Sequence, residues 1–329
     1  MFDVITIGSV TRDAFFEAPK FKTIPWKKTP SKKGLILPLG EKLEVNDVYF
    51  TIGGNSANAA VTFSRFGFKT ACIGKTGDDP GGREIRRRLN AEGVNANLLL
   101  KTSKLGTAYS VLLLKDGERT ILSYHGASNL FNLKDIDLNK LKAKWWYLSL
   151  AGESTKIFGA LLNFARKHKI AVAFNPSGYH LKHHRRDILK RLKNISFLVL
   201  NEEEAAILIG LPFYKEKEVF KKLDVLMPGI LAVTNGRKGA TVSDGKSIYR
   251  AGIFKERKLA DRTGAGDAFG SGFVAGLMQK NDINFALRLA SANATSAVEK
   301  IGATEGVLTK REFENPRWRN FRISVKKIS

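Results

Sequence analysis

The sequence has a single cysteine among 329 residues, which excludes disulfide staples and thiolate zinc clusters within the chain. Cys72 lies between Ala71 and Ile73, the setting of a small buried apolar side chain. Long apolar runs are missing too, with none near the roughly 20 residues that crossing a bilayer requires. The opening MFDVITIGSV has neither a basic leader nor a small-residue cleavage site, so a cytoplasmic protein with no membrane partner is expected. No glycine-rich segment runs into Gly-Lys-Ser/Thr, which argues against a P-loop kinase.

Acid is scarce. Asp and Glu number 31 against 55 Lys and Arg, a formal net charge of +24. A field of that sign attracts polyanions, nucleic acid among them, but equally ATP and phosphorylated metabolites. The basic residues concentrate at 20–33, 182–193 and 310–327, and none of these tracts is a nucleic-acid motif with interleaved aromatics. A generally basic surface is expected, without a dedicated nucleic-acid site. His180, His183 and His184 lack the Cys or acidic partners of zinc patterns. Beside Lys182, Arg185 and Arg186 they read as a solvated basic stretch.

Hydrophobic content of 43% and charged content of 26% are ordinary for a globular chain able to bury a substantial core. Residues 2–8 read as a buried first strand ending in glycine. Apolar runs at 145–150, 170–175 and 195–200 alternate with helical patterns at 156–167 and 187–192. Repeats of this kind predict an α/β fold whose mostly parallel sheet is covered by helices on both faces. Two stretches break the pattern. Residues 14–50 hold Pro19, Pro25, Pro30 and Pro38 among short β-rich runs. Residues 107–124 read as two strands around a Lys115-Asp116-Gly117-Glu118 turn, a hairpin signal.

One stretch carries chemistry. Asp261-Arg262-Thr263-Gly264-Ala265-Gly266-Asp267 leads into a helix expected from Asp267 or Ala268, with Phe269, Phe273 and Leu277 on one face. Glycines let the backbone turn tightly against a ligand, and a helix start offers unpaired amides and a positive dipole end to a phosphate. Asp267 adds a proton acceptor. The same residues also suit a plain N-cap, since Asp caps helices with no ligand present. The spacing G-x-G-x-x-x-G, far from the N-terminus, does not match a dinucleotide fold.

DRTGAGDAFGSGFVAGL resembles the C-terminal signature of the ribokinase-like (PfkB) carbohydrate kinases, D-T-x-G-A-G-D-x-F, with Arg262 in place of the usual small polar residue. Residues 53–61, followed by Gly74, Gly77 and Asp79, resemble the N-terminal signature. There Asn55 stands where ribokinases commonly carry Lys. The resemblance implies a single ribokinase-like domain over 1–329, with a β-sheet lid inserted at about 12–52 and 105–126 and often used for dimerisation. It implies ATP-dependent phosphorylation of a hydroxymethyl group of a sugar, the alternative being a nucleoside. A rival of another class is a basic nucleic-acid-binding protein on an inactive kinase fold.

By the same resemblance Asp267 is the catalytic base, and the amides of Gly264, Ala265 and Gly266 stabilise the transferring group. Asp13, Gly53, Gly54 and Asn58 bind the acceptor, with Glu153 as a further contact. Asn201 and Glu204 order water around Mg²⁺, Thr234, Gly236 and Gly239 hold the nucleotide, and the helix at 285–299 packs near the adenine. Asp261 and Thr263, with carbonyls near residue 302, hold a monovalent cation, K⁺.

Overall fold

The computed structural model describes residues 1–17, 21–27, 32–115 and 118–328. The expected Asp116-Gly117 turn, Pro19, Pro30 and part of the basic tract at 20–33 lie outside the described residues. The chain opens with β1 (Phe2–Gly8), β2 (Thr11–Glu17), β3 (Lys22–Pro25), β4 (Lys33–Ile36), β5 (Asp47–Gly53) and α1 (Asn55–Arg65). It continues with β6 (Thr70–Ile73), β7 (Lys75–Gly77), α2 (Pro80–Ala91), β8 (Leu100–Thr102), β9 (Tyr109–Lys115) and β10 (Glu118–Tyr124). The middle third holds β11 (Ala143–Ser149), α3 (Phe158–Lys167), β12 (Ala171–Phe174), α4 (Gly178–Arg191) and β13 (Phe197–Asn201). Then come α5 (Glu202–Ile209), α6 (Glu216–Leu226), β14 (Ile230–Thr234), β15 (Ala240–Ser243) and β16 (Ser247–Ala251). Last are α7 (Ala265–Lys280), α8 (Ile283–Ala297), α9 (Lys310–Phe313) and β17 (Ile323–Lys327).

Among the described residues the main sheet has nine strands in the order β17-β16-β15-β14-β13-β12-β11-β1-β6. The six from β14 to β6 are parallel, and β15, β16 and β17 are added antiparallel at one edge. Alternation within the buried strands decides which layer each side chain enters. Ile5, Ile7, Trp146, Leu148, Phe174, Leu198 and Leu200 face the layer of α3, α4, α5 and α6. Val4, Tyr147, Ala173, Phe197 and Val199 face α1, α7 and α8. Parallel strands covered on both sides read as unbroken apolar runs, which is why the sequence reports them clearly. A separate four-stranded sheet, β10-β9-β2-β5, forms the lid.

Two elements differ from expectation. A helix of only six residues is expected at 187–192, yet α4 covers Gly178–Arg191, with a non-helical residue at His184. Ser177 caps it by accepting from the His180 amide, and Leu181 and Ile188 supply buried anchors two turns apart. His180 is not solvated: it is fully buried, edge-on to Phe158 and Phe174 at 4.8 and 5.3 Å. Burial pushes its pKa down to about 4, with His184 adding to the shift. Helix α7 begins at Ala265, two residues before the expected start, because Gly264 serves as its N-cap.

Helix α7 also packs closely on α8. A side-chain carbon at Gly276 would lie 2.5 Å from the Ala286 Cα, and one at Gly272 3.2 Å from the Ala290 Cα. Small residues let α7 and α8 approach closely, and Asn293 binds the pair by donating to the Ala268 carbonyl at 2.8 Å. Gly276→Leu is expected to destabilise the protein by about 3 kcal/mol or more, the upper range for overpacking a buried contact. Urea unfolding checks this, and a wild-type midpoint would refute the close packing.

Candidate active site

The site forms where the carboxyl ends of the central strands meet α1 and α7. Asp267 lies in the first turn of α7 and is buried. Its carboxylate accepts from Asn58 Nδ2 at 2.8 Å and from Asn175 Nδ2 at 3.1 Å. Asn58 comes from α1, 209 residues earlier, and Asn175 follows β12 directly. Burial raises the Asp267 pKa to about 6; the two amides pull it down and the Asp13 charge pushes it up. Asn58 donates through Nδ2, and its Oδ1 is left buried with no partner among the described residues. An orphaned acceptor of this kind calls for a donor such as a ligand hydroxyl.

Asp267 stands beside an amide turn. Gly264 adopts a left-handed φ of 78°, and a Cβ there would lie 2.6 Å from that of Ala303, so the turn requires glycine. The amides of Gly264 and Gly266 make no backbone bond among the described residues, and that of Ala265 reaches the Arg262 carbonyl only at 3.4 Å. A bond that long competes weakly with a ligand. In front of Gly266 there is open space, for a Cβ would meet nothing within 4 Å. Open amides at the positive end of a sixteen-residue helix have the geometry and polarity to receive an anion.

Asp261 braces the turn. One carboxylate oxygen accepts from the Thr263 amide at 2.9 Å and hydroxyl at 2.8 Å, and the other from the Gly302 amide at 3.3 Å. Asp13, buried on β2, accepts from the Thr11 hydroxyl at 2.9 Å. Its pKa is raised by burial; bonds from Thr11 and Ser110 oppose the shift and the Asp261 charge adds to it. Gly53 lies against it: a Cβ there would fall 1.9 Å from Asp13 Oδ2. At Gly54 the obstacle is the Ser9 carbonyl at 2.6 Å.

Asn201 and Glu204 form a reciprocal capping box on α5, with bonds of 2.9 and 2.8 Å. Burial raises the Glu204 pKa, and the charge on Asp267 adds to it. Thr234 is paired with Asn201 across β13 and β14. Beyond it the chain turns through Gly236–Lys238, closed by Asn235 N–H donating to the Gly239 carbonyl at 2.7 Å. A Cβ on Gly239 would collide with the Ala251 carbonyl.

Geometry and electrostatics therefore bring Asp13, Asn58, Glu204, Asp261 and Asp267 into one neighbourhood, with the amide turn between Asp261 and Asp267. Glu153 is set apart. Its side chain is 55% exposed, pairs with Lys156 and accepts from the Tyr179 hydroxyl at 2.9 Å. Among the described residues no hydrogen bond joins it to the buried cluster. Sequence reasoning missed Asn175, although an asparagine closing an apolar strand at the carboxyl edge is where α/β ligands bind. Among the described residues every hydrogen-bond donor to Asp13, Asp261 and Asp267 is neutral. Acids clustered in this way, with raised pKa values at Asp13, Glu204 and Asp267, resist ionising together, and among the described residues no three metal-ligating side chains converge on one point.

Comparison with known proteins gives a family model, pfkB family carbohydrate kinase, that matches residues 3–310. Ribokinase of Bacillus subtilis is 28% identical over 273 residues, covering 80% of this chain and 86% of that protein. The structure of Arabidopsis thaliana ribokinase complexed with ribose and ATP superposes with a TM-score of 0.78 at 21% identity, covering 97% of this chain and 99% of that one. A putative ribokinase II from E. coli, in complex with ATP and Mg²⁺, gives 0.80 at 20% identity, with 95% and 98% covered. These structural likenesses establish the ribokinase fold.

The raised pKa of Asp267 has a consequence for stability. A carboxylate whose folded pKa exceeds its unfolded value stabilises the fold fully below the unfolded value and loses that contribution as pH rises to the folded one. Between pH 4 and pH 8 the wild type is expected to lose about 2 kcal/mol relative to Asp267→Asn, in which the group cannot titrate. Denaturant titrations of both proteins across that range check it; a pH-independent difference would contradict the shift.

Proposed function

The chain belongs to the pfkB family of carbohydrate kinases, and on that premise we propose how its residues divide the work of ATP-dependent phosphorylation of a sugar hydroxymethyl group. Asp13 accepts from two neighbouring hydroxyls of the acceptor, since a carboxylate can take both. The free Oδ1 of Asn58 accepts from a further hydroxyl, and the bare backbone at Gly53 and Gly54 allows the ring to come close. The reacting hydroxyl lies beside Asp267. Its oxygen bonds to the γ-phosphorus while the bond from that phosphorus to the bridging oxygen breaks, the electron pair leaving on ADP. Asp267 takes the hydroxyl proton.

The amides of Gly264, Ala265 and Gly266 receive charge developing on the transferred group, and donors so placed are worth about 3 kcal/mol each. Thr234 and the turn at Gly236 and Gly239 hold the outer phosphates. Glu204 and Asn201 would hold Mg²⁺ through water, where the ion neutralises phosphate charge. Asp261 and Thr263 would hold K⁺, so that the neutral donors around that carboxylate are supplemented by a cation. ATP as donor fits a cytoplasmic setting, and no helix among the described residues is long and apolar enough to cross a membrane. The observation that carries this reading is the pair of bonds fixing Asp267 and leaving Asn58 Oδ1 unpartnered.

A panel of ribose, fructose, ketodeoxygluconate and adenosine with ATP and Mg²⁺ tests the acceptor class; turnover of adenosine alone would move it to nucleosides. Asp267→Asn is expected to lower kcat about 10³-fold, within the span of a lost general base, with ATP affinity near that of the wild type. The wild-type kcat/KM should fall below about pH 6, where Asp267 becomes protonated. A variant turning over at the wild-type rate would exclude Asp267 as the base.

The lid offers a homodimer contact. Val48, Phe50, Leu122 and Tyr124 share the face opposite Asp13 and Phe15, and they are 39–56% exposed. Sedimentation should show a dimer that Phe50→Asp with Leu122→Asp converts to monomer. A monomeric wild type would exclude it.

A further inference from the structure

Arg262 stands inside the catalytic turn, between the two residues whose bonds brace it, at the position where the sequence departs from the family motif. Its guanidinium does not fold back onto that turn. Nη1 donates to Glu118 Oε1 at 3.0 Å, across 144 residues of sequence. Glu118 is the first residue of β10, the outermost strand of the lid.

A second contact joins the same two bodies. The inward lid residues Phe15, Leu112 and Leu114 pack on Ile301. The next residue, Gly302, lies against Thr51 of the lid, whose Cγ2 would be 3.0 Å from a Cβ there. The Gly302 amide donates to Asp261. The lid thus touches both segments that shape the amide turn, one through a buried apolar contact and one through an exposed ion pair. On its other side it is tied to α2, where Arg12 meets Glu84 at 3.4 Å and Arg88 donates to the Phe50 carbonyl at 3.2 Å.

We propose that Arg262 is a positioning residue whose ion pair with Glu118 latches the lid over the acceptor and keeps it in register with the amide turn. The inference rests on the reading of this site as one where an acceptor is phosphorylated. An exposed pair (side chains 44% and 53% exposed) adds little to global stability and is screened by salt. A lid in equilibrium between open and closed positions needs only a small bias, because apparent acceptor affinity scales with the closed fraction. The latch therefore acts on acceptor KM more than on kcat, and on the melting temperature hardly at all. A surface pair without this role would leave acceptor KM untouched.

The test uses Arg262→Glu, Glu118→Arg and the double charge swap in the full chain. Kinetics are read with whichever of ribose, fructose, ketodeoxygluconate or adenosine the wild type phosphorylates. Hydrogen exchange of residues 109–124 gives a readout that needs no turnover. Each single variant should raise acceptor KM about 3- to 5-fold, the scale of an exposed pair, and speed exchange in β10. The double swap should restore both, with all three variants melting close to the wild type. Unchanged KM and exchange in the single variants, or a stable double swap that restores neither, would overturn the latch. A wild type that phosphorylates no acceptor, yet shows faster β10 exchange in the single variants and its recovery in the swap, would keep the latch and remove the kinase assignment.

Discussion

The site depends on an acid buried among neutral donors. Asp267 is held by two amide nitrogens, one from α1 and one from the residue that follows β12. Neither supplies a positive charge, so the carboxylate is oriented without being strongly acidified, and burial keeps its pKa near 6. An arginine in place of either asparagine would fix the geometry equally well and lower the basicity that the proposed proton abstraction needs. Neutral amides meet both requirements.

Keeping those amides in place is work for the rest of the fold. Helix α1 presents Asn58, and it packs against α7 in the layer that also holds Phe63, Phe269 and Phe273. Asn293 on α8 links three segments, donating to the Ala268 carbonyl and accepting from the Leu308 amide while it lies 3.4 Å from the Thr62 hydroxyl. Residues early and late in the chain meet at one carboxylate because the parallel sheet places β1 and β12 on either side of β11. The close α7–α8 packing, through Gly272 and Gly276, removes slack from the helix that carries Asp267.

Much of this was legible in the sequence, for identifiable reasons. Strands buried on both faces show as apolar runs, and glycines that must lie against a ligand or a carbonyl show as motifs. Asp13, Asn58 and Asp267 could be named because each sits at a junction between a strand or glycine turn and the element that follows. Asn175 was not legible as part of the site, since one asparagine ending a strand looks the same whether it holds a buried carboxylate or merely stops the ladder. Helix α4 was obscured because its Lys, His and Arg residues hide a two-point apolar face, Leu181 and Ile188, too sparse for a periodicity argument. Nor could spacing reveal that Arg262 reaches the lid, since that contact exists only after β10 folds over the turn.

The charge balance joins the surface to the site. The chain carries +24 overall, yet the candidate site gathers Asp13, Glu204, Asp261 and Asp267, with raised pKa values at Asp13, Glu204 and Asp267. At long range such a protein attracts a nucleotide, because the far field follows net charge. At short range the acids repel its phosphates, and screening within the protein is weaker than in water. The two tendencies are reconciled if the nucleotide arrives with a divalent cation and meets the amide turn first. The turn offers donors without formal charge, so it attracts phosphate while leaving the basicity of Asp267 largely intact. A lysine at the same place would bind phosphate more strongly, but it would lower the pKa of the acid beside it. In the proposed reaction, uncharged donors beside a buried acid would serve both the phosphate and the proton.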